Sequence, residues 1–447
     1  MGYRLDKGGH IDRSQAIHFR WNGRKLAAFA GDTIASALVA NDISVVGRGM
    51  KLHRPRGVLT AGPEEPNALV TLGRGAELEP LARATMIPVR DGLEVRAQNA
   101  WPSVNFDFGR VLDRTAGLWH AGFYNKTFKW PSWDFWERFI RRTAGLAKPP
   151  RERDPARYEA VNAHCDLLVV GGGPAGLLAA QAAARAGLTV MLAEQDFECG
   201  GRLLATNTLI NDAPVTVWFA SVLGELAPSR NVTLLTATTC FGLYDHGTAG
   251  LLQRLDAGST PGPVRQRYWR VHAKQVLLAT GAIEQPLVFG HNDLPGVMLA
   301  GAIRQYANRY GVAAGRRIVL ATCNDSAYLA ALDLVAAGAP VKLVVDSRAE
   351  SPPDLAKWLR AQGVEVRAGA AVAAAFGGKR LERVKLSSGE EIACDALGTS
   401  GGWQPAVHLW SQARAPLAWD ETTRSFRPRE PRPPLLAAGS LNGAPTL

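Results

Sequence analysis

The sequence predicts an α/β protein in which two Rossmann-like, doubly wound dinucleotide-binding units follow a small N-terminal β-grasp module. After residue 160, apolar runs, turns and alanine-rich helices alternate, a pattern typical of a parallel sheet covered by helices. This βαβ pattern occurs twice, over residues 166–195 and 317–346. Near the N-terminus, a hairpin signal followed by one short helix is how a β-grasp module begins.

Composition and charge narrow the function classes. The 447 residues are 47% apolar and 20% charged, as in ordinary globular proteins. No apolar run reaches the roughly 18 residues of a membrane span. Residues 1–10 carry no apolar stretch, so we expect no secretory signal and a cytoplasmic location. Residues 1–150 hold 22 Lys and Arg against 14 Asp and Glu, but the basic residues are scattered. This argues against nucleic-acid binding and favours either a docking face for an acidic partner or a solvated surface.

The N-terminal module carries a clear hairpin signal. Alternating apolar residues lead to an Asn22-Gly23 pair, whose two positions must both accept positive φ. Asp32 is expected to cap a helix over residues 33–40. Ferredoxin-like β-grasp domains hold an iron–sulfur cluster on C-x4-C-x2-C plus a distant cysteine. No cysteine precedes Cys165, so this ferredoxin-like module is predicted to lack the cluster.

Changes in residue usage along the chain suggest four parts. One of them is dense in aromatic rings, which either pack against the next domain or form a subunit interface, where Trp and Tyr are enriched. Its rings are Trp101, Phe106, Phe108, Trp119, Phe123, Tyr124, Phe128, Trp130, Trp133, Phe135, Trp136 and Phe139. The expected parts are a ferredoxin-like domain (1–100), this connecting or interface segment (101–160), a dinucleotide-binding domain (161–295 and 400–447) and a nested second nucleotide-like domain (296–399).

The strongest functional signal is a glycine-rich turn between a buried strand and a helix. It reads Gly171-Gly172-Gly173-Pro174-Ala175-Gly176. The first glycine permits a tight turn, the third lets the backbone approach a diphosphate, and the last allows close packing of helix and strand. This turn, which includes Pro174 and Ala175, leads into a helix predicted over residues 177–186, whose N-terminus presents open backbone amides to the phosphates. The turn therefore predicts an adenine dinucleotide site.

An acid follows the second strand of this unit. Glu194 lies 23 positions after Gly171, where a carboxylate accepts hydrogen bonds from an adenosine ribose and repels a 2′-phosphate. Gln195 beside it is neutral. NAD or FAD is therefore favoured over NADP.

Two further stretches are expected beside the cofactor. One is a strand that ends in Thr280-Gly281, and the other is a C-terminal strand that returns to the first sheet and ends in Gly439-Ser440. Flavin-binding proteins of this kind usually place an aspartate after that glycine, where it contacts the ribityl chain. Ser440 stands there instead, which favours NAD over FAD while leaving FAD as the alternative.

The second βαβ unit lacks the glycines of the first. Side chains at Ala321, Cys323 and Ser326 would obstruct a diphosphate, so a nucleotide-like unit that binds nothing is expected. The sequence shows no metal-ligand spacing, no nucleophile elbow and no convincing acid–base pair. We therefore predict no metal site and assign no catalytic residue, which suggests that the chemistry lies at an interface or on another chain.

Seven strings of residues resemble the α subunit of heterotetrameric sarcosine oxidase. They occur in order along nearly the whole chain, and several are specific rather than generic. The strings are residues 53–57, 65–68, 98–103, 121–128, 241–246, 292–298 and 400–409. The resemblance implies NAD contacts in this chain at Gly173, Ala175, Glu194, Gln195, Arg202, Cys240 (through its backbone) and Ser440. Gly201, next to Arg202, is a further candidate cofactor-binding residue.

The resemblance also implies a heteromeric enzyme that oxidises sarcosine to glycine, formaldehyde and hydrogen peroxide. In that family the β subunit carries FAD and the amine-oxidising site, FMN lies at the α/β interface, and smaller subunits complete the assembly. This chain alone is then expected to be inactive, with the N-methyl amino acid bound on the partner. The alternative is an FAD-binding subunit of an amino-acid or opine dehydrogenase-like complex.

One departure from that family is large. Its α subunits continue into a second half that resembles an aminomethyl transferase and binds tetrahydrofolate, whereas this sequence stops at Leu447. It is expected to be either a fragment of a longer chain or a split relative. Relatives also often carry Asp and Arg where Ala193 and Gln195 stand here.

Overall fold

The computed structural model describes residues 2–118, 127–143, 148–207, 209–210, 212–256, 264–429 and 432–444. It contains two compact units. The first comprises Met1–Pro155 and Leu287–Ser400, and the second comprises Ala156–Pro286 and Gly401–Leu447. Three of the aromatic rings predicted above, Trp119, Phe123 and Tyr124, lie outside the described residues, as does most of the string 121–128.

The N-terminal part of the first unit is the predicted β-grasp module. Five of its strands form a sheet in the order β2-β1-β7-β5-β6. Asn22 and Gly23 have φ values of 48° and 86°, which confirms the hairpin between the first two strands. The elements are β1 (Asp12–Trp21), β2 (Arg24–Ala30), α1 (Ile34–Ala40), β3 (Gly47–Arg48), β4 (Pro55–Arg56), β5 (Leu69–Leu72), β6 (Glu79–Arg83) and β7 (Glu94–Ala97).

The N-cap of α1 differs from the prediction. Thr33, not Asp32, accepts a hydrogen bond from the backbone N–H of Ser36, at 3.1 Å. The carboxylate of Asp32 is instead bound by the Arg4 guanidinium at 2.6 Å and the Ser36 hydroxyl at 2.7 Å. The predicted cap at Asp32 is wrong because this buried carboxylate neutralises an arginine from another part of the chain.

The aromatic segment contains the short helix α2 (Val111–Arg114) and the helix α3 (Trp133–Thr143). Seven of its large rings are exposed, and Trp130 reaches 82% exposure. The seven are Trp101, Phe106, Phe108, Trp130, Trp133, Phe135 and Phe139. These side chains are exposed in the described structure, and both packing against another domain and a subunit interface stay predictions.

The second unit begins with the predicted dinucleotide-binding pattern. Leu167 and Val169 of its first strand face one apolar core, and Leu168 and Val170 face another, as in a sheet covered on both sides. The elements are β8 (Arg157–Val170), α4 (Pro174–Arg185), β9 (Val190–Ala193), β10 (Leu209–Ile210), β11 (Ala213–Pro214), α5 (Val215–Leu226), β12 (Val232–Leu235), β13 (Thr238–Tyr244), β14 (Thr248–Arg254), β15 (Val264–Leu278) and β16 (Ala282–Glu284).

The chain then returns to the first unit with the second βαβ pattern. A parallel sheet has the order β17-β24-β18-β19-β20, and three further strands form an antiparallel sheet, β21-β22-β23. Its helices share one apolar core with the β-grasp module, through Tyr306 and Tyr328 on one side and Phe19 and Leu38 on the other. The elements are β17 (Val297–Leu299), α6 (Ala300–Tyr310), β18 (Ile318–Thr322), α7 (Ser326–Ala336), β19 (Val341–Asp346), α8 (Pro353–Ala361), β20 (Glu365–Ala368), β21 (Val372–Phe376), β22 (Arg383–Leu386), β23 (Glu391–Ala393) and β24 (Ala396–Ser400).

The C-terminal stretch completes the second unit. Its elements are β25 (Trp403–Pro405), α9 (His408–Gln412), β26 (Leu417–Asp420), β27 (Ser425–Pro428) and β28 (Leu435–Ala437). The main sheet has the order β12-β9-β8-β15-β14-β13, and β28 pairs in parallel with the second half of β15. This confirms the predicted return strand and, with the two βαβ units, the predicted fold class. Within the described residues no helix combines the length and apolarity that crossing a bilayer requires.

Candidate dinucleotide-binding site

The turn between β8 and α4 has the geometry that its glycines predict. Gly171 has a φ of 107°, and a Cβ atom there would lie 2.3 Å from the carbonyl oxygen of Ala279. A Cβ on Gly176 would lie 1.9 Å from the carbonyl oxygen of Gly171. Both distances are far below van der Waals contact, so the turn closes only with glycine at these two positions.

The surroundings of Gly173 differ from those of Gly171 and Gly176. A Cβ built on it would meet no described atom within 4 Å, so the protein itself does not need a glycine there. Gly173 is the N-cap of α4 and gives no side-chain cap, and Pro174 begins the helix. The first amides of a helix have no acceptor within the helix and attract anions. The open space at Gly173 therefore suits a ligand phosphate.

Two other predicted stretches lie against this turn. The N–H of Gly200 donates to the carbonyl of Gly172 at 2.8 Å, and a Cβ on Gly201 would lie 3.1 Å from the Cα of Gly173. Arg202 follows directly. On the C-terminal side, a Cβ on Gly439 would lie 2.8 Å from the Cβ of Ala175, and Ser440 follows in a short 3-10 turn, Gly439–Asn442.

The carboxylate of Glu194 binds the backbone of the glycine turn, next to the candidate dinucleotide site. It accepts hydrogen bonds from the N–H of Gly172 at 2.6 Å and from the N–H of Asp196 at 2.7 Å. Burial raises the pKa of Glu194 from 4.5 to about 7, although these two amides favour the charged form. The predicted ribose contact thus has to use the remaining lone pairs of a carboxyl group that already organises the backbone.

The raised pKa of Glu194 predicts a pH-dependent stability. The folded chain keeps a proton that the unfolded chain releases near pH 4.5, so this stabilisation is complete below pH 4.5 and is lost as pH rises through about 7. Glu194→Gln removes this titration. The free energy of unfolding should then depend on pH less steeply, by at most about 1.4 kcal/mol per pH unit between pH 4.5 and about 7. Urea unfolding of the nucleotide-free native chain and of Glu194→Gln between pH 5 and 8 measures this difference. Parallel curves of unfolding free energy against pH for the two proteins would contradict the prediction.

The remaining predicted residues lie on neighbouring strands or shortly after them. The Thr280 hydroxyl donates to the carbonyl of Ala406 at 3.0 Å, just after β15 and beside the turn, and Gly281 has a φ of 72°. Cys240 lies on β13, whose first residue, Thr238, donates its N–H to the carbonyl of Glu194 at 2.7 Å. Burial raises the pKa of Cys240 to about 12, so its thiol stays neutral. Gln195 is half-buried next to Glu194.

The corresponding turn of the second βαβ unit is filled by its own side chains. The Asn324 amide nitrogen donates to the carbonyl of Ser400 at 3.1 Å, and the N–H of Ser326 donates to the Asn324 amide oxygen at 2.9 Å. Asp346, at the end of β19, is fully buried and binds the Tyr328 hydroxyl at 2.8 Å and the Arg348 guanidinium at 2.7 Å. The loop and the acid of this unit are therefore engaged in internal contacts.

Sequence reasoning missed one residue of the site. Trp403 places its indole ring 3.7 Å from the central guanidinium carbon of Arg202. The string 400–409 contained this residue, but a stacking contact between positions so distant in sequence leaves no local pattern. Among the described residues, no group of three or more His, Cys, Asp or Glu side chains is arranged to hold a metal ion.

Comparison with protein families matches two parts of the chain. Residues 14–100 match a family described as a 2Fe-2S iron-sulfur cluster binding domain, and residues 165–425 match the pyridine nucleotide-disulphide oxidoreductase family. Residues 14–100 contain no cysteine, so they do not fit the thiolate-held cluster of the first family. The second match includes the turn, Glu194, Arg202 and Thr280.

Individual relatives extend the similarity. Sarcosine oxidase subunit alpha of Rhizobium meliloti (strain 1021) is 45% identical over 99% of this chain and 44% of its own length. The same subunit of Corynebacterium sp. (strain U-96) is 37% identical over 98% of this chain and 42% of its own. The chain thus spans less than half the length of these relatives.

A solved structure supports the fold. L-proline dehydrogenase from P. horikoshii superposes with a TM-score of 0.65 at 19% identity, covering 99% of this chain and 71% of that one. Together with the curated relatives, this confirms the fold class and the resemblance found in the sequence. The chain belongs to the pyridine nucleotide-disulphide oxidoreductase family and is similar, over nearly its whole length, to the alpha subunit of sarcosine oxidase.

Proposed function

We propose that this chain binds NAD at the turn between β8 and α4, as the alpha-type part of a sarcosine-oxidase-like complex. The observation that carries the proposal is Gly173: it is the one glycine of the turn at which an added Cβ would meet no described atom within 4 Å, and it is the N-cap of α4. A nucleotide diphosphate is the ligand that this arrangement favours.

The choice of NAD rests on two residues, Glu194 against NADP and Ser440 against FAD. Glu194 lies next to the turn, where its remaining lone pairs can accept ribose hydroxyls. Ser440 follows Gly439 at the place where flavin-binding proteins usually carry an aspartate. NAD bound here has no evident acid–base partner, so we propose that it takes no part in turnover.

In the proposed complex, the redox chemistry takes place against a partner. Sarcosine loses two electrons at its methyl C–N bond, and water hydrolyses the resulting imine to glycine and formaldehyde. Oxygen accepts the two electrons with two protons and becomes hydrogen peroxide. We assign the amine-oxidising FAD to a β-type partner and an FMN to the interface with it, so that this chain alone is inactive. The seven exposed rings of the aromatic segment are candidates for that interface.

The nucleotides that the purified assembly releases on denaturation test this proposal. NAD in amounts equal to this chain, together with FAD and FMN in amounts equal to a second polypeptide, is the expected result. FAD bound to this chain alone, seen as absorbance near 450 nm, would favour the alternative of a dehydrogenase-like FAD subunit. A lone chain that oxidises sarcosine would overturn the proposed division between subunits.

Gly173→Ala is expected to abolish NAD retention without changing the stability of the nucleotide-free chain. The new methyl group meets no protein atom but occupies the space of the approaching diphosphate. Nucleotide content and thermal unfolding measure the two effects. Gly224→Ala on α5 is the matched control, since a Cβ there also meets nothing within 4 Å. Intact turnover of Gly173→Ala in the complex would assign NAD a purely stabilising role, and retained NAD would contradict the assigned site.

A further inference from the structure

The position of the stretch Gly401-Gly402-Trp403 is fixed by strand pairing and close backbone contacts, and none of its residues is among the proposed nucleotide contacts. β25 pairs antiparallel with β16, with Trp403 opposite Glu284. Gly402 has a φ of 105°, and a Cβ on Gly401 would lie 3.0 Å from the carbonyl oxygen of Pro286. The glycine pair therefore permits the close approach of the two chain segments that fixes the position of Trp403.

The indole ring of Trp403 stacks on the guanidinium group of Arg202. The 3.7 Å between the guanidinium carbon and the ring centroid is short for a cation–π contact, in which the cation lies within about 6 Å of the ring. Arg202 directly follows Gly201, which packs on Gly173. The stacked guanidinium thus belongs to the residue that directly follows the segment in contact with Gly173.

We propose that Trp403 is a positioning residue that holds the Arg202 guanidinium ready to bind the diphosphate of the dinucleotide. The inference rests on the proposed nucleotide site. An arginine side chain that is free in solution loses rotamer entropy when it binds, and stacking on a rigid ring removes much of that loss beforehand. The face of the ring performs this role, because Trp403 Nε1 makes no hydrogen bond within the part of the chain that the structure describes.

The experiment compares the rate at which bound NAD exchanges with isotope-labelled NAD in the complete assembly. Trp403→Leu removes the aromatic face and should speed exchange about tenfold, which lies within the range for one cation–π contact. Trp403→Phe keeps a face and loses no hydrogen bond, so its rate should stay within about twofold to threefold of the native rate. Trp419→Leu, an exposed position on β26, is the matched control and should leave the rate unchanged.

A double-mutant cycle with Arg202→Gln separates positioning from packing. If Trp403 acts through Arg202, adding Trp403→Leu to Arg202→Gln produces little further acceleration. Full additivity, or a Trp403→Phe rate as high as that of Trp403→Leu, would overturn the inference while leaving the nucleotide site intact. Native chain that carries no NAD at all would overturn the proposed function itself, and the inference with it.

Discussion

Glu65→Ala is expected to lower the free energy of unfolding of the first unit by about 4 kcal/mol or more. Glu65 is 1% exposed and accepts four backbone N–H groups. They belong to Leu59 at 2.9 Å, Thr60 at 2.6 Å, Asn67 at 2.7 Å and Ala68 at 2.9 Å. Truncation leaves these buried donors without their acceptor, at about 1–3 kcal/mol each before relaxation and water entry.

Calorimetric and urea unfolding of the chain measure this effect. Glu365→Ala provides the matched control, because Glu365 pairs with Arg367 at the surface with half of its side chain exposed. Its loss should cost less than about 1 kcal/mol. Glu65→Gln keeps the shape but replaces one accepting oxygen with a donor, so an intermediate loss is expected. Equal stabilities for Glu65→Ala and Glu365→Ala would show that the four amides find other acceptors.

Gly176→Ala is expected to abolish dinucleotide binding and also to destabilise the second unit by about 3 kcal/mol. A methyl group only 1.9 Å from the Gly171 carbonyl oxygen cannot be accommodated by a rotamer change, because both atoms belong to backbone held by β8 and α4. The helix start therefore has to move away from the strand. The amides that α4 presents to a diphosphate move with it.

Nucleotide content and the melting temperature of the nucleotide-free chain distinguish this variant from the others. Gly173→Ala should lose only the bound nucleotide, and Gly224→Ala should keep both the nucleotide and the melting temperature. Gly176→Ala should lose the nucleotide and also melt at a lower temperature. Retention of the native nucleotide content by Gly176→Ala would mean that the turn has a second competent conformation.

Local patterns predicted much of this fold. The Asn22-Gly23 hairpin and the glycine turn after β8 depend on residues adjacent in sequence, and the pairing of β28 with β15 confirms the strand predicted before Gly439-Ser440. The extent of β8 and β15 was missed because both begin well before their apolar ends. The first part of β8 alternates exposed and partly buried residues, and the first part of β15 is partly buried throughout. Such stretches resemble loops until a partner strand is known.

Long-range polar contacts set the limit of prediction for the site. Asp32 has the sequence context of a helix cap, and only the position of Arg4 shows that it serves an ion pair. Arg202 and Trp403 are separated by about two hundred residues, and the four donors to Glu65 are backbone groups that any residue carries. The glycines of the turn were predictable because the spacing of glycines between a strand and a helix is a known pattern of dinucleotide-binding turns.

Asp346 occupies the place in the second βαβ unit that Glu194 occupies in the first, yet the two acids have different partners. Glu194 binds the amide of the glycine turn, whereas Asp346 ties Tyr328 on α7 to Arg348 beyond β19. Inserting glycines into the loop at 323–326 would therefore not by itself convert this half into a second nucleotide receptor. The two βαβ units share an architecture, but in the second one the loop and the acid are committed to internal contacts, which a ligand would have to displace.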